Sequence, residues 1–342
     1  MGESIVVHVG GGKWVIVDSC RNQDGSVAPL TYLHGIGVDV ARDVLLVVGT
    51  HAHDDHISGL ADVFAQCCRA RFVCSQALTK EEFVALTAQE DLFSDLLRES
   101  SYAEYSRILK LADEPNRRSA GGIKPLVRAI AGRPVMDAEI SPVGRVVVLP
   151  VSPSDEAVTR SLRVLATARA RPDNSRGLRR IDPNELAVAL WLKVGEKRIL
   201  LGADLLVGPQ GCGWIAVLAT FIPDAKASLF KVPHHGAPNA HHDGVWDALL
   251  QPAPLALVAP YRAGRNRRPS ESDRARIRSR TPHAYVTAPT RPPLPPRPTM
   301  AALSSIATNV RLANAMTGQV RARSQVGDER WDIAMTSPAL RL

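Results

Sequence analysis

Histidine and aspartate are concentrated in one short segment of the chain, THAHDDH at residues 50–56. The segment directly follows the apolar run DVLLVV, which is typical of a strand buried on both faces. Imidazole and carboxylate groups at a strand end are the ligands that hold zinc or manganese with positions left open for water. Because side chains on such a loop project in different directions, one segment can serve two ions about 3.5–4 Å apart. We therefore predict a metal site whose first ligands are His51, His53, Asp55 and His56.

Two further groups complete this ligand set. Asp204 ends the run RILLGAD, from which its carboxylate can bridge two ions, and His234 and His235 follow the run FKVP. Gly236 comes next and permits a close approach of the backbone. Taken singly, a strand-terminal Asp is also typical of a turn, and a double His of a surface loop. In this order along the chain, the three groups predict a cofactor of two divalent metal ions, zinc or manganese.

Strands that alternate with helices must position these residues. The β-branched runs 5–9 and 14–18, separated by the turn GGGK, predict an opening hairpin. Hydrophobic patterning predicts further strands at 43–48, 143–153, 186–194, 198–204, 228–236 and 255–262, and helices at 30–41, 57–68, 79–112 and 155–171. The segment GQVRARSQVGDERWDIAM predicts a closing hairpin. Two successive sets of interleaved strands and helices indicate an α/β layered sandwich.

Two stretches interrupt this pattern within a chain that we expect to form a single domain over residues 1–342. Residues 77–142 predict a helical and loop insertion, whose helix opens with Thr79 and Glu82 in a capping box. Residues 288–299 predict a proline-rich spacer, with six prolines between 289 and 298 that favour polyproline II. A protein partner could bind at 289–298; a stiff surface loop is the simpler interpretation.

The composition of the 342 residues is that of a globular protein, with 45% hydrophobic and 22% charged residues. No apolar run is long enough to cross a membrane, and the first residues lack the pattern of an export signal. The five cysteines are odd in number and lack CxxC spacing, which suits a reducing compartment. We therefore predict a cytoplasmic protein that does not bind a membrane.

The net charge of +8 is unevenly distributed. Residues 262–280 contain eight arginines and two acidic residues, and residues 160–180 contain seven arginines and one acidic residue. Such clusters favour polyanions such as nucleic acid, although a solvated basic face has the same composition. If the substrate is a nucleic acid, we expect Arg265, Arg267 and Arg268 to contact its phosphates.

Taken together, the motifs resemble those of the metallo-β-lactamase superfamily, whose signature is HxHxDH at a strand end, then an Asp, then a late His. The chain is most similar to one branch, the hydrolase domain of the ComEC competence DNA-uptake proteins. The segments that carry this resemblance are THAHDDHISGL (50–60), NELAVALWLKVGEKRILLGADL (184–205), LFKVPHHGAPNA (229–240) and the closing GQVRAR…WDIAM. The resemblance implies a four-layer αββα sandwich with a helical insertion, here as a free-standing hydrolase domain.

The resemblance also implies a role for each ligand. His51 and His53 match ligands of the first metal, and Asp55 and His56 match ligands of the second. Asp204 is similar to the bridging carboxylate. His235 is the better match to the late His, with His234 as its neighbour or substitute.

The chain departs from the superfamily pattern at one ligand. Many members have another His between the first motif and the bridging Asp, whereas this chain has none between His56 and His234. Asp155 or Ser152, in the segment PVSPSD, is our candidate for the vacant role. Two positions of the branch also differ, since Ala237 follows Gly236 and Arg268 precedes a proline.

These features predict a metal-dependent hydrolase in which Asp55 orients or deprotonates a metal-activated water. A metal-dependent phosphodiesterase or nuclease acting on DNA or another nucleic acid is the leading hypothesis. The alternative is a hydrolase of a small non-nucleic substrate, such as a thioester, a lactone or a phosphorylated metabolite. A binding or signalling module with a silent site is the third hypothesis.

Overall fold

β-Branched and aliphatic segments of the chain form two main sheets and a separate hairpin. The computed structural model describes residues 2–77, 99–119, 124–170, 182–262, 266–291, 296–307, 318–328 and 330–342. The strands are β1 (Ile5–His8), β2 (Trp14–Val17), β3 (Val44–Gly49), β4 (Arg71–Ser75), β5 (Leu126–Ala129), β6 (Met136–Ile140), β7 (Gly144–Pro150), β8 (Leu190–Val194), β9 (Lys197–Leu201), β10 (Ala227–Lys231), β11 (Leu250–Val258), β12 (Ala284–Val286), β13 (Gln319–Arg323), β14 (Asp332–Thr336) and β15 (Leu340–Arg341).

Helices connect most of these strands. The α-helices are α1 (Ala28–Gly35), α2 (Val40–Asp43), α3 (Asp54–Ile57), α4 (Leu60–Gln66), α5 (Glu99–Ala112), α6 (Pro115–Ser119), α7 (Asp155–Ala170), α8 (Gly213–Thr220), α9 (Glu271–Arg280) and α10 (Arg297–Ile306). Short 3-10 turns lie at Pro183–Leu186, His234–Gly236 and Pro238–Ala240, and a π turn lies at Val245–Leu249.

The first sheet has the strand order β1-β2-β3-β4-β5, and the second has the order β15-β12-β11-β10-β9-β8-β7-β6. In the first sheet, β1 and β2 form the antiparallel hairpin predicted from the sequence, and β2 to β5 run parallel. In the second sheet, β9 to β12 run parallel. The predicted closing hairpin is the separate pair β13–β14. Parallel strands bring their carboxyl ends to one edge, which is where the predicted ligands lie.

Alternation along the strands creates three apolar layers. In β2, Ile16 packs against the helices that cover the first sheet, whereas Val15 and Val17 face the second sheet. In β10, Leu229 faces the first sheet and Phe230 packs with Trp214 of α8 on the outer side. Each sheet therefore buries one face against the other sheet and one face against helices. The predicted four-layer αββα sandwich is confirmed.

The second half of the predicted insertion at 77–142 contains two strands of the main sheets. β5 is the edge strand of the first sheet, and β6 is an edge strand of the second. The edge position explains the missed strand, because β6 alternates exposed acidic residues with half-buried or buried ones and lacks an apolar run. α5 is also integral, since Tyr105 and Ile108 are buried in the first core. The predicted capping box at Thr79 and Glu82 lies outside the described residues.

A helix overlaps the end of the predicted proline-rich spacer at 288–299. α10 begins at Arg297 and has Pro298 in its first turn, where a missing N–H costs nothing. Residues 292–295 lie outside the described part of the chain. Among the described residues, the helices are all too short or too polar to cross a membrane.

Candidate metal centre

The predicted ligands meet where strands of both sheets end. His51 lies two residues beyond the end of β3, and α3 begins just after His53. Asp204 lies three residues beyond the end of β9, and His235 follows β10 in a short 3-10 turn. Each sheet therefore contributes one half of the cluster.

The side chains of this cluster converge on one oxygen atom, Oδ2 of Asp204. The Nε2 atoms of His51, His56 and His235 lie 3.8, 3.4 and 3.3 Å from it. Oδ2 of Asp55 lies 3.2 Å from Nε2 of His235 and 3.9 Å from Nε2 of His56. The described residues form four overlapping groups whose possible ligand atoms lie within 4.8 Å of one another, and two of these groups contain Glu3. The other two ligand groups consist of predicted ligands, one of His51, His53 and Asp204 and one of Asp55, His56 and His235.

These separations fit a shared metal shell better than direct hydrogen bonds. Ligands about 2.0–2.1 Å from a tetrahedral zinc ion lie about 3.4 Å from one another, which falls within the observed range of 3.2 to 3.9 Å. Nε2 of His51, Nε2 of His56 and Oδ1 of Asp204 are buried and make no hydrogen bond. Buried polar atoms are nearly always paired, so the two orphaned Nε2 atoms, which both face Oδ2 of Asp204, point to a common partner. A divalent cation bound between them would satisfy both.

A hydrogen-bond chain fixes the orientation of two of the imidazoles. Oδ2 of Asp18 accepts from Nδ1 of His56 at 2.7 Å and from Oγ1 of Thr50 at 2.7 Å. Because the Thr50 hydroxyl donates to Asp18, it accepts from Nδ1 of His51 at 2.9 Å. Oδ1 of Asp18 accepts the Thr50 N–H at 2.8 Å. Because both Nδ1 atoms are engaged in these hydrogen bonds, the Nε2 atoms are the ones that would bind a metal ion.

The third converging imidazole is held in the same way by a different partner. Nδ1 of His235 donates to the backbone carbonyl of Ala259 at 3.0 Å. Tyr261 stacks on the His235 ring, with 5.4 Å between the ring centroids. These two contacts fix the ring plane and direct Nε2 towards Asp204 and Asp55.

Burial and neighbouring charges divide the titratable groups into two sets. Burial lowers the pKa of His51 well below its ordinary value and also lowers that of His53. Burial acts in the same direction on His56, but the Asp204 and Asp18 carboxylates outweigh it and hold the pKa of His56 well above the usual range. Burial alone would raise the pKa of Asp204, but His235 and His56 hold it well below the ordinary value. Without metal, the Asp204 carboxylate is therefore ionised and His56 is cationic, whereas His51 and His53 are neutral.

Backbone strain is also concentrated here. Among the described non-glycine residues, five have a left-handed backbone, and four of them lie at the cluster: Asp18, Ala203, His234 and His235. Their φ angles lie between 46° and 59°. Such conformations are costly for residues with a Cβ and persist where the surroundings impose them, often at functional sites.

Two predicted ligands lie at the margin of the cluster. His53 is half-buried, and its ring lies 4.8 Å from that of His51, in the group that also contains Asp204. His234 is also half-buried, but it belongs to none of the ligand groups formed by the described residues. The ring of His234 lies 6.0 Å from that of His235. Of the double histidine, the structure brings His235 into the cluster.

Ser152 and Asp155, the two candidates for the role of the missing third His, do not join the metal cluster. Oγ of Ser152 donates to the carbonyl of Ala187 at 2.6 Å and accepts the N–H of Ala189 at 2.8 Å. That hydroxyl therefore joins the end of β7 to the strand beside it. Asp155 is exposed in the first turn of α7 and is absent from the ligand groups of the described residues.

The arginines after β11 are largely engaged with acidic side chains. Arg268 donates to Oδ2 of Asp273 at 2.8 Å, and Arg276 donates to Oδ1 of the same residue at 2.9 Å. Arg280 donates to Oδ1 of Asp247 at 2.9 Å. Of the three arginines predicted to contact phosphates, Arg267 is exposed, Arg268 is paired and half-buried, and Arg265 lies outside the described residues.

The sequence argument missed four residues around the cluster: Glu3, Asp18, Thr50 and Lys231. Asp18 follows β2 as His51 follows β3, so the strand-end criterion could have identified it. Lys231 is a charge within the apolar run SLFKV, which is a weaker signal. Glu3 has no local signal, because its position depends on the packing of the two sheets.

Comparisons with known proteins give distant structural likenesses. No family model matches the chain, and no curated protein matches it. Among solved structures, the metallo-beta-lactamase fold protein YhfI from Bacillus subtilis has 12% identity and a TM-score of 0.33, covering 67% of this chain and 62% of that one. BJP-1, a subclass B3 metallo-beta-lactamase of Bradyrhizobium japonicum, has 14% identity and a TM-score of 0.32, covering 66% and 69%.

A third solved structure is similar over a comparable length. Zn²⁺-bound PqqB from Methylobacterium extorquens has 14% identity and a TM-score of 0.29, covering 67% of this chain and 59% of that one. The aligned parts of YhfI and PqqB are thus less than two thirds of those chains.

Proposed function

We propose that the protein is a metal-dependent hydrolase of the metallo-β-lactamase superfamily that holds two divalent ions. The observation that carries this proposal is the convergence of three Nε2 atoms on Oδ2 of Asp204 at 3.3–3.8 Å, with orphaned buried atoms among them. His51, His53 and Asp204 would hold the first ion. Asp55, His56 and His235 would hold the second ion, with Asp204 shared between the two.

Divalent ions bound at such a site supply Lewis acidity and lower the pKa of water. The chain itself supplies orientation and a hydrogen-bond acceptor for water. The side chain of Asp55 is 17% exposed, whereas those of His51, His56, Asp204 and His235 are at most 4% exposed. Asp55 therefore stands at the mouth of the cluster, where a substrate and water reach it.

Asp55 is ionised there and can accept a hydrogen bond from water. Burial would raise the pKa of Asp55, but His235 and the charge of His56 outweigh it and hold the pKa well below the ordinary value. A carboxylate with so low a pKa is a weak base. In our proposal Asp55 therefore orients the attacking water.

For the substrate, we propose a phosphodiester of DNA or another nucleic acid. Support comes from the net charge of +8, from exposed Arg267, and from the likeness of LFKVPHHGAPNA to the ComEC-type hydrolase domain. The five free cysteines support a reducing compartment such as the cytoplasm.

A small non-nucleic substrate is the second candidate. The observation that favours it is the pairing of Arg268, Arg276 and Arg280 with acidic side chains, which lowers the free positive charge near the double histidine. An ester, thioester or lactone needs no such charge.

Metal-loaded protein should be assayed on labelled single- and double-stranded DNA and on small ester, thioester and phosphodiester substrates. Hydrolysis that requires Mn²⁺ or Zn²⁺, stops with a chelator and is lost in Asp55→Asn supports the hydrolase. Binding of nucleic acid should weaken steeply as salt rises, because phosphate contacts release counterions. Turnover of small substrates alone, without a salt dependence, would favour the second candidate. No metal-dependent turnover of any substrate would favour a binding module with a silent site.

A further inference from the structure

A buried lysine lies beside the metal cluster but belongs to neither ligand group. The Lys231 side chain is 4% exposed, and its Nζ lies 2.5 Å from Oε2 of Glu3, which is 3% exposed. The same ammonium group donates to the carbonyl of Ala203 at 3.0 Å and lies 3.8 Å from Oδ1 of Asp204. An ammonium group has three donors and no acceptor, so it donates to the Ala203 carbonyl while its charge attracts the carboxylates of Glu3 and Asp204.

The ion pair joins the two halves of the cluster. Lys231 is the last residue of β10, two positions after Leu229. Alternate residues of a strand lie on the same face, so the Lys231 side chain points, like that of Leu229, into the layer between the sheets. Glu3 precedes β1 of the first sheet, and its backbone N–H donates to the carbonyl of Asp55 at 2.7 Å. One charge is thus tied to the 51–56 loop and the other to the strand that leads to His235.

Lys231 also holds the turn that carries Asp204. Ala203 has a left-handed backbone with φ 46°, and its carbonyl accepts from Nζ of Lys231 and from the N–H of His234, each at 3.0 Å. Oδ1 of Asp204 faces Lys231, whereas Oδ2 faces the imidazoles of His51, His56 and His235. The lysine therefore acts on both the backbone and the carboxylate of this turn.

We propose that the Lys231–Glu3 ion pair is a positioning pair that holds Asp204 and the 51–56 loop at the separation required to bind two divalent ions. This inference rests on the proposed metal centre. Neither residue touches the substrate or an ion in this account. The pair tunes metal binding through the carboxylate and the loop that it orients.

Two other roles for the pair make different predictions. A purely structural pair would stabilise the fold without affecting the affinity of the folded protein for metal. Glu3 could alternatively be a ligand itself, since its carboxylate lies within 4.8 Å of the ligand atoms of Asp204 and His235. In that case Lys231 competes with the ion for Glu3, and its removal would tighten metal binding.

The test compares Lys231→Met and Glu3→Gln with a matched control, Arg198→Met. Arg198 is also a buried cation, on the adjacent strand β9, where it pairs with Asp224 at 2.7 Å. Zn²⁺ affinity is measured by competition with a chelating indicator, and thermal unfolding is measured on the metal-free proteins.

We expect both site variants to lose about 10- to 100-fold in Zn²⁺ affinity, as is typical when a partner of a ligand is removed. Arg198→Met should retain the wild-type affinity even though it unfolds at a lower temperature. If Lys231→Met does not fold, Glu3→Gln carries the test, because it keeps the shape of the side chain. Affinities of the site variants equal to or tighter than that of the wild type would overturn the inference while leaving the proposed function intact. A wild-type protein that binds no metal would overturn both.

Discussion

Replacing Asp18 with Asn isolates the contribution of imidazole orientation to metal binding. The substitution keeps the size and shape of the side chain but replaces one acceptor oxygen with a donor NH₂ group. Oδ1 of Asp18 accepts the Thr50 N–H, and Oδ2 accepts from Oγ1 of Thr50 and Nδ1 of His56. Whichever way the amide is turned, its NH₂ group therefore faces a donor.

The magnitude follows from the position that the amide nitrogen takes. If the NH₂ group introduced by Asp18→Asn lies opposite His56, it donates to Nδ1 of His56 and favours the His56 tautomer with the proton on Nε2. That tautomer lacks the Nε2 lone pair that would bind metal. Loss of such a partner costs about 10- to 100-fold in metal affinity, which is about 1.4–2.8 kcal/mol. Opposite Thr50, it leaves a buried N–H unpaired, which costs about 1–3 kcal/mol of folding stability.

Competition with a chelating indicator measures the first effect, and thermal unfolding of the metal-free protein measures the second. Asp43→Asn is the matched control, because Asp43 is a buried carboxylate that accepts from Lys13 and Arg42 before β3, at the opposite end of that strand from His51. We expect the control to leave Zn²⁺ affinity unchanged. Wild-type affinity and wild-type stability together in Asp18→Asn would refute the reasoning.

Three further predictions follow from the cluster and from burial. Asp55→Ala and His235→Ala should each lose at least one bound ion and all hydrolysis while remaining folded, as metal analysis and circular dichroism would show; wild-type turnover in both variants would mean that the cluster is not catalytic. Burial raises the pKa of Cys67 and of Cys74 to about 12, so at pH 8 only about one in ten thousand of these thiols is ionised. Cys68 is the exposed cysteine, so mass spectrometry should show that it is alkylated before the others. Equal alkylation rates for all five cysteines would contradict the burial described. When the free metal concentration is 100 times the dissociation constant, removing the metal should lower the free energy of unfolding by about 2.7 kcal/mol. An unchanged melting temperature on adding a chelator would argue against bound metal.

The two-layer sheet architecture could be predicted because its signal is local. Apolar β-branched runs such as that of β3 are long enough to identify strands, and polar residues directly after them mark the sheet edge. His51 and Asp204 follow such runs, so their convergence required only that the strands end at the same edge. The structure brings them together with 3.8 Å between Nε2 and Oδ2.

Edge strands and contacts between the sheets were not accessible in this way. β6 lies at an edge and alternates exposed acidic residues with more buried ones, so it has too little apolar character to identify. Glu3 reaches Lys231 across 228 positions of sequence, and no pattern near either residue indicates the pair. Such contacts depend on how the layers pack.

Charge counting along the sequence overestimated the free positive charge at 262–280. Arg268 and Arg276 share Asp273, and Arg280 reaches back to Asp243 and to Asp247. The last two acids lie outside the window over which the charge was counted. Net charge within a window therefore describes a surface only when the folded neighbours are included.

Metal analysis of the purified protein tests the central claim most directly. The protein is loaded with Zn²⁺ or Mn²⁺, dialysed, and analysed for metal per chain, with His51→Ala/His56→Ala treated in parallel. We predict between one and two ions per wild-type chain, with the ion held by Asp55, His56 and His235 retained longer, and less than one ion in the double variant. A wild-type protein that contains no metal at any stage, even after reconstitution, would contradict the account.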